Sequence, residues 1–433
     1  MLPILNQSLW RDEAFSLLLA EKGLSEIVKL AARDTTPPLY YLLLHYWMLF
    51  FGNSEIAARS LSVLFHALTA VVVFFIARRL VQPLLVQILL ALAVFLNPFL
   101  LQYAFEARAY SLLVLWTVLA VYLALTQRNI LAGMAWALGI LTHNFAVFNF
   151  AAFTAGWLYT NKDKLNVKEG WWVLGIPILS ILLWGSVIWN QWTRVAEDFW
   201  IKPSTSSIFL HSFEQYTKGD LFYRTQPILY TFSLILVFFG FSYWVGKQRV
   251  QESNKTLPLL FSLLILPTFI TYLISAFFAP IYHERYLIAT VPILILTVGY
   301  SLHKLYRTNI GLRGTLITLV IAYTVLLIQS SGQIVATTTK PAINYGVNEV
   351  LTKVQEGDVI IPQSNLNFLE TLYYVEKSGQ GVPVYAYSSN GEIPFYIGGV
   401  LFEGHVINKL PTDKRIWRVS PDGGHELLEP GEP

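Results

Sequence analysis

The sequence predicts an α-helical polytopic membrane protein with a small α/β domain at its C-terminus, and three observations carry that prediction. Of 433 residues, 55% are apolar and 15% aromatic, and only 13% are charged, about half the ~25% of an average soluble domain. Apolar runs near the ~20 residues needed to cross a bilayer recur between residues 60 and 331. Beyond residue 332 the composition changes: glycine, proline and polar residues return, and twelve acids stand against seven bases. A disordered chain and a soluble multidomain enzyme are excluded on the same figures. The net charge of +3 is too nearly balanced for a nucleic-acid binder. With no cysteine, disulfides, thiolate metal sites and cysteine nucleophiles are excluded as well.

Residues 1–59 contain no convincing span and no signal peptide, since no basic region precedes an apolar run. Asp12–Ala32 has apolar residues at helical spacing with Glu21, Lys22, Glu26 and Lys29 between them, which predicts one interfacial amphipathic helix. Pro37-Pro38 then opens an aromatic-rich helix over Leu39–Phe51, closed by Gly52-Asn53 and too short to cross a membrane.

Ten crossing helices are predicted in the transmembrane domain, 60–331, at 60–77, 84–101, 108–126, 129–145, 146–160, 170–190, 226–246, 257–279, 286–304 and 314–331. With the side reached after the first span labelled inside, the inside loops hold twelve basic residues and three acids. The outside loops from residue 80 onward hold six basic residues, an asymmetry of the positive-inside kind. Twelve of the fifteen acids before residue 332 fall outside. A carboxylate in mid-bilayer costs at least ~2.5–3.5 kcal/mol, so these acids belong in water or a polar cavity, and the chemistry is expected on that face. In the C-terminal segment, 332–433, Asn344–Val354 and Asn367–Glu376 read as helices, and Val359–Pro362, Val382–Tyr387 and Arg415–Ser420 as strands.

Several segments carry a family resemblance. Leu9-Trp10-Arg11-Asp12-Glu13-Ala14-Phe15 resembles the W-x-D-E-A segment of the GT-C membrane glycosyltransferases. The group in question is glycosyltransferase family 39 and its bacterial relatives, which include protein O-mannosyltransferases and lipid A aminoarabinose transferases. Asp34-Thr-Thr-Pro37-Pro38-Leu-Tyr40-Tyr41 is similar to the H/D-x-x-P-P-L-Y-Y continuation of that family, and Tyr103-Ala-Phe-Glu106-Ala-Arg108-Ala-Tyr110 to its Y-A-x-E-A-R-x-Y segment. Leu141-Thr142-His143-Asn144 and Glu284-Arg285-Tyr286-Leu287 match weaker signatures. The family places a transmembrane helix before its Asp-Glu pair, whereas here only eleven residues precede Asp12. A further helix ahead of Met1 is therefore expected.

The resemblance implies the GT-C fold, a sugar joined through phosphate to a polyprenol as donor, and inverting transfer to an acceptor hydroxyl. That acceptor is a protein, a lipid or a glycan, and the active face and C-terminal domain are extracytoplasmic on the plasma (inner) membrane of a bacterium. Polyprenyl phosphate leaves as a stabilised anion without needing a proton. The acceptor hydroxyl must lose one, which calls for a single carboxylate. Asp12 is the expected base, with Glu13 orienting the acceptor or raising the basicity of Asp12. The bland alternative is that both acids merely favour the dipole of a helix start. Arg108 and Arg285 stand at the outside ends of spans, where their forks suit a phosphate. Each is alternatively a snorkelling interface anchor. Glu106 and Tyr110 accompany Arg108 in its motif as donor-site residues, and His143 is a weaker member. No cofactor is demanded. A divalent metal held by Asp12, Glu13, Glu106 and His143 is a further candidate. His45 and His66 read as packing residues, and His283 as a helix-end residue. Asp198, Trp200 and Pro203 lie in the long outside loop 191–225, which reads as a lid. The rival functions are a transporter, although no repeat or mid-span acid supports it, and a non-catalytic relative.

Overall fold

The computed structural model describes residues 3–161, 170–197, 199–201, 207–219, 226–246 and 256–431. The chain divides into two compact units. The first comprises 1–61, 106–108 and 338–433, and the second 62–105 and 109–337. The N-terminal and C-terminal segments, separate in the sequence, thus fold together with three residues borrowed from the loop at 106–108.

In the first unit, α1 (Arg11–Ala20), α2 (Leu24–Arg33) and α3 (Leu39–Phe51) follow one another. The single interfacial helix expected over Asp12–Ala32 is instead two helices, broken at Glu21–Gly23. Their characters differ. Every residue of α1 from Glu13 to Ala20 is buried, so α1 is a core helix, whereas α2 buries only Ile27 and Ala31. The reason is visible in Phe15-Ser-Leu-Leu-Leu-Ala20, which is apolar or small on all sides, and such a helix must be enclosed. α3 ends as expected, with Gly52 at φ 80° accepting the turn.

The C-terminal part of this unit has α16 (Ile343–Lys353) and α17 (Phe368–Ser378), the latter closed by left-handed Gly379. Its strands are β1 (Val359–Ile360), β2 (Ala386–Tyr387), β3 (Val406–Ile407), β4 (Ile416–Val419) and β5 (His425–Leu428). β4 is central, parallel to β1 and antiparallel to β5, and β2 pairs with β3 in parallel. Neither β3 nor β5 was foreseen, because their short sequences lack a sustained alternation. Asp358 holds the turn into β1 against the start of β4, accepting from Arg415 Nε at 2.9 Å and Nη2 at 2.7 Å and from Trp417 Nε1 at 3.0 Å. α17 lies along α1: the Tyr374 hydroxyl accepts the Leu9 N–H at 2.8 Å, just ahead of the α1 start. Gly398, at φ 86°, packs so closely on Phe15 that a Cβ would stand 2.7 Å from the ring.

In the second unit each predicted span is largely helical, although 84–101 is broken into two helices and 129–145 is helix only to Ile140. α4 (Glu55–Leu80) enters it from the first unit. There follow α5 (Leu84–Phe95), α6 (Pro98–Ala104), α7 (Tyr110–Leu125), α8 (Asn129–Ile140), α9 (Ala146–Asn161) and α10 (Ile176–Glu197), which continues a π-helical turn at Trp171–Gly175. α11 (Ile208–Lys218), α12 (Gln226–Gly246), α13 (Thr256–Phe277), α14 (Thr290–Thr308) and α15 (Arg313–Thr337) complete it. Among the described residues, four helical stretches are long and apolar enough to cross a membrane, at 55–80, 171–197, 256–277 and 310–337. The bent pair α5–α6, at 55°, would make a fifth. This is fewer than the ten expected crossings. α7, α8 and α9 have 16, 12 and 16 residues, which at ~1.5 Å each fall short of a ~30 Å hydrocarbon core. Their shared core, with Trp136, Phe153, Leu260 and Tyr300 fully buried, comes from packing of helix on helix. His66 Nε2 meets the Phe95 carbonyl at 2.9 Å, a packing role as read from the sequence.

Candidate active site

The Asp-Glu pair opens α1, with Trp10 extended at the N-cap. Being adjacent on a helix, the two acids point in different directions, and their surroundings differ accordingly. Glu13 is wholly enclosed. Its Oε1 accepts from Arg59 Nε at 2.8 Å and from the Ala107 backbone N–H at 3.0 Å. Its Oε2 accepts from Arg59 Nη2 at 2.6 Å and from Lys340 Nζ at 2.7 Å. Arg59, also 0% exposed, spends its remaining donors on the Leu5, Gln7 and Ser8 carbonyls at 3.0, 2.7 and 3.0 Å. Burial pushes the Glu13 carboxyl up, but the charges of Lys340 and Arg59 outweigh it and hold the group down to about 2. Glu13 therefore stays ionised and clamps α1, the start of α4, the 106–108 loop and the segment after α15.

Asp12 keeps 14% of its side chain exposed. Its carboxylate meets Arg108 Nη2 at 3.4 Å and Arg11 Nε at 3.3 Å, and Arg108 Nη1 also donates to the Asp12 carbonyl at 3.3 Å. The Glu13 clamp on Ala107 fixes the backbone one residue before Arg108, so the buried acid positions the cation that faces the exposed one. Asp34, at the C-terminal end of α2, is buried. Burial raises its carboxyl to about 6, with Arg108 opposing and Asp12 adding to the rise. Between its ordinary value near 3.8 and 6, the folded protein thus holds a proton that the unfolded chain has released. Stability falls as pH rises through that window. Thermal unfolding of Asp34→Asn followed from pH 4 to 6 is expected to lose this falling component, and an unchanged pH slope would contradict the assignment.

Arg108 and Glu106 belong to the first unit, and Tyr110, His143 and Arg285 to the second. In the second unit Tyr110, at the start of α7, is buried against His143 and Tyr286, with ring centroids 5.8 and 6.5 Å away. His143 accepts the Phe145 N–H on Nδ1 at 3.2 Å, which leaves its proton on Nε2. Arg285 lies in a short 3₁₀ turn, Glu284–Leu287, whose N-cap is His283. Its guanidinium stands 5.0 Å from the Trp200 ring centroid and 5.3 Å from that of Tyr286, a cation held between aromatic faces. Tyr110, His143 and Arg285 are thus gathered around Tyr286. Of the loop read as a lid, Asp198 and Pro203 lie outside the described residues, and its later part is helix α11.

The metal alternative finds no donor set. Among the described residues no three His, Asp or Glu side chains stand together as ligands would. Glu13 is already committed to Arg59, Lys340 and Ala107. Sequence reasoning missed Arg59, Lys340 and the burial of Asp34. An arginine opening an apolar run is a signal for Arg59, since a charge there demands a partner. Lys340 carries no local signal.

Residues 35–189 match the family model described as dolichyl-phosphate-mannose-protein mannosyltransferase. The structure is similar to the crystal structure of ArnT from Cupriavidus metallidurans in the apo state, with a TM-score of 0.62 at 11% identity over 96% of this chain and 90% of that one. It is also similar to the same protein bound to undecaprenyl phosphate, with a TM-score of 0.56 at 12% identity over 97% and 90%. The fold is that of the GT-C glycosyltransferases. No curated protein matches the chain by sequence. The GT-C resemblance read from the motifs is borne out in the fold, and residues 35–189 match a mannosyltransferase family model.

Proposed function

We propose that this protein is an integral-membrane glycosyltransferase that moves a sugar from a polyprenyl-phosphate donor to an acceptor hydroxyl, with inversion and with Asp12 as general base. The observation that carries the reading is the contrast within the Asp-Glu pair: one acid is sealed into a buried clamp, and the other is partly exposed beside Arg108. In the reaction, the acceptor oxygen attacks the anomeric carbon opposite the phosphate. The bond from carbon to phosphate oxygen breaks with both electrons on the departing polyprenyl phosphate, and Asp12 takes the acceptor proton. Arg108, beside Asp12, is the cation offered to phosphate oxygens, where charge grows as the bond breaks, and Arg285 of the second unit is a further candidate for that role. A phosphate drawing Arg108 would also take one of two counter-charges from Asp12, leaving Arg11, and so raise its basicity. Glu13 is a positioning residue. Glu106 in the first unit, and Tyr110 and His143 in the second, are the remaining candidate donor-binding residues.

The active face and the C-terminal domain are assigned to the extracytoplasmic side of an inner membrane. The concentration of basic residues in the opposite loops supports this. The acceptor is a protein, lipid or glycan bearing a free hydroxyl. Purified protein in nanodiscs, given undecaprenyl-phosphate sugars and candidate acceptors, is expected to release undecaprenyl phosphate and form a product of inverted anomeric configuration by NMR. Retained configuration would overturn the single-displacement scheme.

A further inference from the structure

We propose that Glu370 of the C-terminal domain, together with the Trp10 indole, binds the hydroxyls of the transferred sugar at the Asp12 site. The inference rests on the reading of that site as the transfer centre, and it assigns the C-terminal domain a part in recognising the sugar.

Glu370 lies in the first turn of α17, the helix that packs along α1, and it is only 8% exposed. It stands one turn before Tyr374, whose hydroxyl accepts the Leu9 N–H at 2.8 Å ahead of α1, and the charges of Arg11 and Asp12 act on its carboxyl. It therefore sits at the N-terminal end of α1, beside the proposed base. Two buried atoms there, Glu370 Oε2 and Trp10 Nε1, have no hydrogen-bond partner among the described residues. Buried polar atoms are nearly always paired, and those that are not call for a reason. Burial raises the Glu370 carboxyl to about 8, with Arg11 lowering it and Asp12 adding to the rise, so at neutral pH it is a neutral acid able to donate or accept. The indole N–H can only donate. An acid on the helix packed along α1 and an indole donor two residues ahead of the base suit a ring with several hydroxyls. Whatever the acceptor, the transferred sugar is such a ring, and its anomeric carbon must come within reach of the oxygen that Asp12 deprotonates.

The test is one of binding, so it needs no turnover. Affinities for undecaprenyl phosphate and for its mannosyl, glucosyl and aminoarabinosyl derivatives are measured with wild type, Glu370→Gln and Glu370→Leu in nanodiscs. Wild type is expected to bind at least one glycosylated form more tightly than undecaprenyl phosphate. Glu370→Leu is expected to lose about tenfold for that form alone, the order of one hydrogen bond, while Glu370→Gln, which keeps a donor and an acceptor, retains most of the affinity. Three outcomes would overturn the proposal: no preference for any of the three sugars in wild type, equal sugar affinity in Glu370→Leu, or an equal loss for bare undecaprenyl phosphate, which marks general disruption. Failure of Asp12 as base would show in turnover and leave these affinities unmoved, so the two readings fail separately.

Discussion

Asp12→Asn is expected to lower kcat by about two to four orders of magnitude, the range of a lost general base, with little change in the KM for donor. Asparagine keeps the shape of the side chain but takes no proton at neutral pH. The amide still fits beside Arg11 and Arg108, which now approach the carboxylate at 3.3 and 3.4 Å. Folding should barely respond, because partly exposed pairs contribute only about 0–1 kcal/mol. Single-turnover transfer and thermal unfolding, measured on the same preparation, separate the two effects. A variant that transfers sugar at the wild-type rate would remove Asp12 from the mechanism.

Glu13→Ala is expected to behave in the opposite way, failing first in stability. Removing one member of a buried ion pair costs about 3–5 kcal/mol, because the remaining charge is stranded away from water. Here Arg59 is fully enclosed and Lys340 nearly so, and both lose their common partner. The backbone of the 106–108 loop loses its anchor at Ala107 as well, so Arg108 should be displaced and activity should fall with stability. The pH dependence has a definite sign. A carboxyl held at about 2 in the folded protein against an ordinary 4.5 contributes stability that is complete above pH 4.5 and is lost as pH falls toward 2. Wild type should therefore lose this component of stability on acidification, and Glu13→Ala should lack it. Equal unfolding temperatures at pH 7 would refute the clamp. A double replacement, Glu13→Leu with Arg59→Leu, is expected to cost less than the sum of the two single changes, since the fully enclosed Arg59 charge is no longer stranded and only Lys340 loses its partner.

Much of the helical framework was legible in the chain. Most apolar runs became single helices, 84–101 being broken in two, and Leu39–Phe51 and its Gly52 stop were read to the residue, because propensity, proline placement and glycine punctuation act over a few neighbours. Errors arose where local pattern was averaged too far. Merging Asp12–Ala32 into one amphipathic helix hid the fact that Phe15–Ala20 is apolar on every face. The ten expected crossings include 12-residue α8 and 26-residue α4 alike, and among the described residues length and composition alone single out four or five. Asp12, Glu13 and Arg108, singled out by their motifs, stand together in the structure. Glu370 was not singled out, since an acid in the first turn of an amphipathic helix looks like an ordinary surface residue.

The sequence by itself determined the membrane class, the order of the helices, the motif set and the acids worth testing, all of which follow from composition and short-range spacing. Only the tertiary structure decided what each acid does. Glu13 meets Arg59 across 46 residues and Lys340 across 327, and whether an acid ends enclosed by cations or partly in solvent depends on which distant segments pack over it. Ionisation follows from that enclosure, because desolvation and neighbouring charge act through space and not along the chain.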